Sequence, residues 1–283
     1  MVKPMFKTQS TSRRICSLVA LLATSCLISA TASAQNQPPQ IFETNFGTPL
    51  NLTDDSTTAV MFGSFVFPFA GSVFTGSDVL DISSNGFLSL GGSNGNDCCN
   101  GDVNEFLNDP FARISPLWAD IDPANTAMDD VFIGTFNDDT DPEDDRLVVT
   151  WDAQHWGSGE DVLFQVQLLD TGVIVFGYNG ISALDRNTLI GITTGGGVTD
   201  PGASDLSTGP FLDGGADIYE LFAPETPVIT DPREFDLDFS NVVFTPVPVF
   251  GGFVVSHIEP IPEPSGLVAI AFALCAITTR RRR

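Results

Sequence analysis

The chain has 283 residues, with 36 Asp and Glu against 12 Lys and Arg, a formal net charge of −24 and a pI near 4.1. All 36 acidic residues fall between Glu43 and Glu263, where the only cations are Arg113, Arg146, Arg186 and Arg233, so this region carries about −32. Such a surface repels nucleic acid and anionic lipid, excludes the nucleic-acid-binding classes, and favours divalent cations, basic partners or plain solubility.

The N-terminus predicts export. Lys3, Lys7, Arg13 and Arg14 precede the mostly apolar run Ile15 to Ser29, and Ala32-Ser33-Ala34 supplies the small residues a signal peptidase requires. Residues 1–34 therefore read as a signal peptide cleaved before Gln35. Ser12-Arg13-Arg14 and Ala23-Thr24-Ser25-Cys26 are weaker hints of a twin-arginine or lipoprotein signal. Residues 35–45 read as a flexible leader.

From Asn51 onward, short apolar stretches are broken every eight to twelve residues by Gly, Asn, Asp or Pro. The predicted strands are Ala59-Phe67, Val79-Ile82, Gly86-Leu90, Val131-Phe136, Leu147-Trp151, Val162-Leu169, Val173-Tyr178 and Thr188-Ile192, with Ile218-Phe222 as a further one. Phe164, Val166 and Leu168 alternate with Gln165 and Gln167, the period of a sheet with one wetter face. Leu169-Asp170-Thr171-Gly172-Val173 gives the clearest hairpin turn. No interior segment shows sustained helical periodicity, so the fold class is all-β, an antiparallel sandwich-like domain over residues 46–222. The 23 phenylalanines suit its core, and Phe106 and Phe111 are expected in packing rather than on a binding face. Residues 223–260 read as a connector, an edge-strand pair or a stalk, because Pro246 and Pro248 argue against a central strand.

Several constellations suggest chemistry. Asp138, Asp139, Asp141, Glu143, Asp144 and Asp145 place six carboxylates in nine residues between two predicted strands. Calcium prefers clustered oxygen ligands, although the spacing is not that of an EF-hand loop and a solvated acidic hairpin tip is the plainer reading. Asp120 and Asp122 share a face if Ala119-Asp122 is extended, and either hold a cation or cap a turn. Asp129 and Asp130 are available to either group. Cys98 and Cys99 are the only cysteines between the two terminal segments; pairing with each other, pairing between molecules and free thiols all remain open. Asp152, His155 and Ser158 lack the strand–elbow context of a nucleophile site, and Gly195-Gly196-Gly197 lacks the Lys-Ser/Thr of a phosphate loop. The chain is accordingly expected to be non-enzymatic, with Ca2+ as its sole candidate cofactor.

At the C-terminus, Pro262-Glu263-Pro264 precedes fifteen uncharged residues, Ser265 to Thr279, and the chain ends at Arg280-Arg281-Arg282-Arg283. As a helix those fifteen residues span roughly 22 Å, short of a hydrocarbon core of roughly 30 Å. The arginines hold their end on the cytoplasmic side, with the acidic domain outside. These residues, 261–283, resemble the PEP-CTERM sorting signal of exosortase-bearing bacteria. The resemblance implies maturation by signal peptidase and an exosortase-like enzyme, transient anchoring in the inner membrane, and a destination in the envelope, at the cell surface or in the extracellular matrix.

Other segments together resemble the NIDO domain of nidogen-like proteins. They are Phe65-Val66-Phe67-Pro68-Phe69-Ala70-Gly71, the stretch Val79 to Leu90 with Ser84-Asn85-Gly86 at its turn, Ile114-Ser115-Pro116-Leu117-Trp118-Ala119-Asp120-Ile121-Asp122, Phe164-Gln165-Val166-Gln167-Leu168 with Gly172-Val173-Ile174, and Gly191-Ile192. The likeness runs from about Phe46 to Phe222 and implies an extracellular, adhesive module with no catalytic residues to carry over. The expected function is that of a surface or matrix structural protein, with extracellular polysaccharide or a surface protein as partner. A carbohydrate-binding or carbohydrate-processing envelope protein is the second expectation.

Overall fold

A computed structural model describes residues 42–92, 99–126, 129–136, 145–181, 184, 186–222, 235–249 and 251–259. The expected signal peptide, Cys98, the acidic run from Asn137 to Asp144 and the sorting segment 261–283 lie outside these residues. In chain order the elements are β1 (Thr48–Pro49), β2 (Thr57–Phe69), β3 (Ser72–Ser83), β4 (Leu88–Leu90), α1 (Val103–Asn108), β5 (Ala112–Trp118), β6 (Ile121–Asp122), β7 (Asp130–Phe136), β8 (Arg146–His155), β9 (Asp161–Leu169), β10 (Ile174–Tyr178), β11 (Thr188–Thr193), η1 (Leu206–Thr208), β12 (Phe211–Asp213), β13 (Ile218–Phe222), β14 (Asn241–Val247) and β15 (Gly252–Ile258).

The strands form two antiparallel sheets. One has nine strands in the order β1-β7-β8-β9-β10-β14-β15-β12, with β6 also paired to β8; the other has six, in the order β13-β11-β5-β4-β3-β2. Alternation within each strand sends one set of side chains between the sheets. In β9 these are Phe164, Val166 and Leu168, all fully buried in the main core with Trp151 of β8, Phe176 of β10 and Phe244 of β14. Trp151 stacks on Phe164 with ring centroids 5.0 Å apart and planes 8° from parallel. The facing sheet contributes Phe67, Leu80, Ile82, Leu88, Ile114 and Ile190. Each such side chain contributes about 1.5–3 kcal/mol by leaving water.

Two buried hydrogen bonds cross between the sheets. Trp151 Nε1 donates to the Ser83 carbonyl at 2.9 Å, and the Tyr178 hydroxyl donates to the Pro116 carbonyl at 2.7 Å. Each spends the polar atom of an otherwise apolar core residue on a backbone group of the opposite layer.

The face of β9 carrying the glutamines is not wet. Gln165 is fully buried and Gln167 nearly so; residues 42–45 of the expected flexible leader lie against Gln165, and Gln167 Nε2 donates to Gln165 Oε1 at 2.9 Å. Glu43 N donates to Gln165 Oε1 at 2.9 Å, Gln165 Nε2 donates to the Glu43 carbonyl at 3.1 Å, and Arg146 pairs with the Glu43 carboxylate at 2.8 Å. Phe46 packs on Phe132 with centroids 5.6 Å apart.

The region beyond residue 223 also departs from expectation. β14 is an interior strand, paired with β10 on one side and β15 on the other. Pro246 is tolerated because pairing with β10 ends at Phe244, so the proline lies past the reach of that ladder. β3 begins seven residues before the predicted Val79. Its Ser/Thr/Gly-rich start is weak strand sequence that pairing with β2 draws into the sheet.

The outer face of the six-stranded sheet is covered by α1, capped by Asp102, whose carboxylate accepts from Glu105 N at 2.9 Å. Phe106 and Leu107 bury there against Phe87, Trp118, Leu189 and Tyr219, so Phe106 is a packing residue, while Phe111 is half-buried. Arg113 of β5 is enclosed in the same layer and ion-paired with Asp109, its guanidinium carbon 4.4 Å from the Phe87 ring centre and 4.7 Å from that of Trp118.

Candidate functional site: an acidic corner of the sandwich

The turn Ser83-Ser84-Asn85-Gly86 joins β3 to β4 at one end of the sandwich. Gly86 has φ +79°, and a Cβ there would stand 2.0 Å from the Leu117 carbonyl oxygen, so both its conformation and its closeness to β5 require glycine. Asn85 is buried, and its side chain faces two ways. Its Nδ2 donates to Asp55 Oδ1 at 3.0 Å, while its Oδ1 accepts from Ile121 N at 3.1 Å. Its carbonyl accepts from Ala119 N at 3.3 Å. One amide thus ties together the turn, the β1–β2 connection and the β5–β6 connection.

Around this junction stand Asp54, Asp55, Asp120 and Asp122. Asp120 is almost wholly buried and ion-paired with Arg186, which also donates to the Trp156 carbonyl at 3.2 Å. Asp122 accepts from Ala124 N at 2.8 Å and so caps the turn that follows β6. Burial raises the Asp54 carboxyl above its usual range, and the negative charges of Asp55, Asp122 and Asp120 add to the effect.

Oxygen atoms of Asp55 and Asp120 and the Cys99 sulfur all lie within 4.8 Å of one another. Cys99 is disulfide-bonded, so its sulfur is no thiolate ligand, and the Asp120 charge is already matched by Arg186. What the group offers a cation is a pair of hard oxygen donors, one of them engaged by an arginine, a set closer to calcium chemistry than to zinc.

A second acidic group lies nearby in register. Asp130 of β7 is opposite Asp152 of β8, and Gln154 of β8 is opposite Asp161 of β9. Asp130 is occupied with backbone, accepting from Asn51 N at 3.1 Å and Leu52 N at 3.3 Å. Asp129 accepts from the Thr126 hydroxyl at 2.6 Å, and Asp161 from Gln154 Nε2 at 2.7 Å. Burial raises the Asp152 carboxyl, with Asp129 and Asp161 adding repulsion. Asp152 and His155 are three residues apart on one strand and therefore face opposite sides of it. That geometry separates the two as an acid–base pair.

Of the predicted site residues, Asp120 and Asp122 meet at the corner, and Cys99 stands beside Asp120. Asp145 immediately precedes β8, its carbonyl accepting from Asp170 N at 3.1 Å. Asp138, Asp139, Asp141, Glu143 and Asp144 fall outside the described residues, as do Cys98, Pro262, Glu263, Pro264 and Arg280 to Arg283. Asp54, Asp55, Asn85 and Arg186 were not anticipated as partners here. Adjacent Asp54-Asp55 was the one local signal, and Arg186 comes from 66 residues beyond its carboxylate.

Two of the five segments singled out in the sequence build this junction: Val79–Leu90, through its Ser83–Gly86 turn, and Ile114–Asp122. A family model described as NIDO related matches residues 32–210, more than half of the chain. The chain belongs to the NIDO-related family. No curated protein and no solved structure matches it. Family membership marks it as an extracellular structural or adhesion type of module. In this NIDO-related chain, Asn85 and Gly86 hold the corner together, and β12, β13, β14 and β15 complete the sandwich from beyond the matched region. Among the described residues no helix is long and apolar enough to cross a membrane.

Proposed function

We propose that the chain is a non-enzymatic structural or adhesive protein, sorted to the surface of an exosortase-bearing bacterium and modulated there by calcium. The observation that carries this reading is the NIDO-related match over 32–210, whose signature residues are occupied in joining strands. Residues 1–34 supply export, and 261–283 supply sorting by an exosortase-like enzyme after transient membrane anchoring. The acidic corner and the Asp138–Asp145 run are the places where calcium would bind, and extracellular polysaccharide or another surface protein is the ligand class. Calcium that binds the folded chain but not the unfolded one must raise its melting temperature.

The test is calorimetric titration of EDTA-stripped chain with calcium, then pull-down of cell-surface polysaccharide with and without the metal. Saturable heat, a higher melting temperature and calcium-dependent retention without release of soluble sugar support the reading. Soluble product that disappears on replacing one or two carboxylates instead identifies a carbohydrate-processing enzyme. Absence of heat and of any melting shift removes calcium from the proposal.

A further inference from the structure

An unpaired sheet edge is a template for another strand, and proteins blunt such edges by shortening, charging or covering them. Three outer edges of this sandwich are treated so. β1 has two residues, β12 has three and carries Asp213, and the β13 edge is covered by the chain itself. There Ser204 N donates to the Tyr219 carbonyl at 2.8 Å, and Leu206 N to Glu220 Oε2 at 2.9 Å.

The fourth edge is different. β2 is the last strand of the six-stranded sheet, it is 13 residues long, and among the described residues nothing pairs with its outer side. From Ser56 to Ser77 there are 22 consecutive residues without a charged side chain, in a chain of net charge −24. Met61 is 70% exposed, Val73 58% and Val66 44%.

We propose that the outer edge of β2 is where a second copy of this chain pairs, strand to strand and antiparallel, joining two six-stranded sheets into one. The charge distribution selects the occupant. A basic partner gains most on the carboxylate-rich surface, whereas a molecule bearing the same large negative charge meets least repulsion along this edge, where the acid nearest the axis, Asp81 opposite Ala59, sits one strand in on β3. Self-pairing of one strand about a two-fold axis uses the same surface on both copies and closes the assembly at two.

The register sets the extent. Pairing of β2 with β3 is regular from Thr57↔Ser83 to Met61↔Val79 and then shifts around Gly63. Thr57–Met61 is therefore the straight template, and the irregularity beyond it bends the edge away. An axis at Ala59 puts Met61 of one copy opposite Thr57 of the other, with Thr57, Ala59 and Met61 all exposed in the single chain.

The experiment is sedimentation velocity of the purified full chain over a wide concentration range, with hydrogen exchange read at both extremes. A reversible dimer is expected, strengthened by added salt because screening relieves repulsion between like-charged copies. The alternate amides of Thr57–Met61 that face away from β3 gain protection as it forms. Met61→Glu places carboxylates in the interface and should weaken association at least about tenfold while leaving circular dichroism and melting unchanged. Leu212→Glu on the β12 edge, where Leu212 is also exposed, should not, which separates β2 pairing from pairing through that other edge. Ala59→Glu, on the same exposed row, repeats the test if Met61→Glu unfolds. A monomer at every concentration, association that salt weakens, or a dimer indifferent to both β2 variants overturns the proposal.

Discussion

Arg113 and Asp109 form an ion pair in which both side chains are fully buried, sealed under α1 on the outer face of the six-stranded sheet. The pair fixes the short helix to β5, since Asp109 immediately follows α1 and also accepts from Phe111 N at 2.8 Å. Asp109→Ala leaves a buried guanidinium without its counter-charge and is expected to cost about 3–5 kcal/mol in urea unfolding. The double replacement Asp109→Leu with Arg113→Met should recover most of that loss, because removing both charges also removes the cost of their desolvation.

The corner depends on the direction in which the Asn85 amide points. Asn85→Asp keeps the acceptor for Ile121 N but turns the donor facing Asp55 into a second carboxylate. A loss of about 1–3 kcal/mol is expected at pH 7, shrinking at acidic pH as the introduced carboxyl takes up a proton. Gly86→Ala should cost more than about 2 kcal/mol, since it combines a positive φ with a Cβ driven into the Leu117 carbonyl. Thermal melts of both variants across that pH range check the prediction.

Glu220 gives the fold a pH dependence of definite sign. Burial pushes its carboxyl up to about 7 from its ordinary 4.5, with Asp236 and Asp205 adding repulsion and the bond from Leu206 N opposing them. Between those two values the folded chain binds more protons than the unfolded one, so this group's contribution to stability falls as pH rises from 4.5 through 7. After discounting for partial solvent screening, the change is about 1–2 kcal/mol. Glu220→Gln should flatten that part of the stability profile and raise the melting temperature at pH 8 relative to the parent chain. An unchanged difference between the two proteins at pH 4.5 and pH 8 would sink the idea.

Tyr178 tests the polar bridges between the layers. Tyr178→Phe leaves the Pro116 carbonyl without its donor inside the core and should destabilise by about 1–2 kcal/mol. Burial, with Glu220 adding to it, raises the phenol well above its usual range, so this hydrogen bond persists throughout the alkaline range in which the fold survives.

Much of the sandwich was legible because its strands obey a local rule. The alternation Phe164, Val166, Leu168 and the turn Asp170-Thr171-Gly172 specify β9, β10 and their hairpin without outside information. Ile218–Phe222 has the same limits as predicted. β5 was harder. No strand is predicted there, because Arg113 and Ser115 interrupt its apolar residues, and only the cover of α1, just upstream in the chain, turns that side into an interior. The glutamines of β9 misled for a like reason, since the Glu43 segment that lies against Gln165 is more than a hundred residues away. Asp120 and Asp122 stood out in the sequence, but the residues that define their surroundings, Asp54, Asp55, Asn85 and Arg186, are brought in by long-range strand pairing that leaves no local periodicity.

The placement of β14 between β10 and β15 governs the order in which the molecule can be assembled. A chain threaded through an export channel from its N-terminus delivers β10 well before Asn241–Val247, so the first-made half of the nine-stranded sheet waits with an open flank for the last-made strands. Phe176 stays without Phe244, its ring partner at 5.0 Å, throughout that interval. Completion is thus tied to arrival of the C-terminal third, and a chain cut near residue 210 would resemble a stalled export intermediate rather than a smaller finished domain.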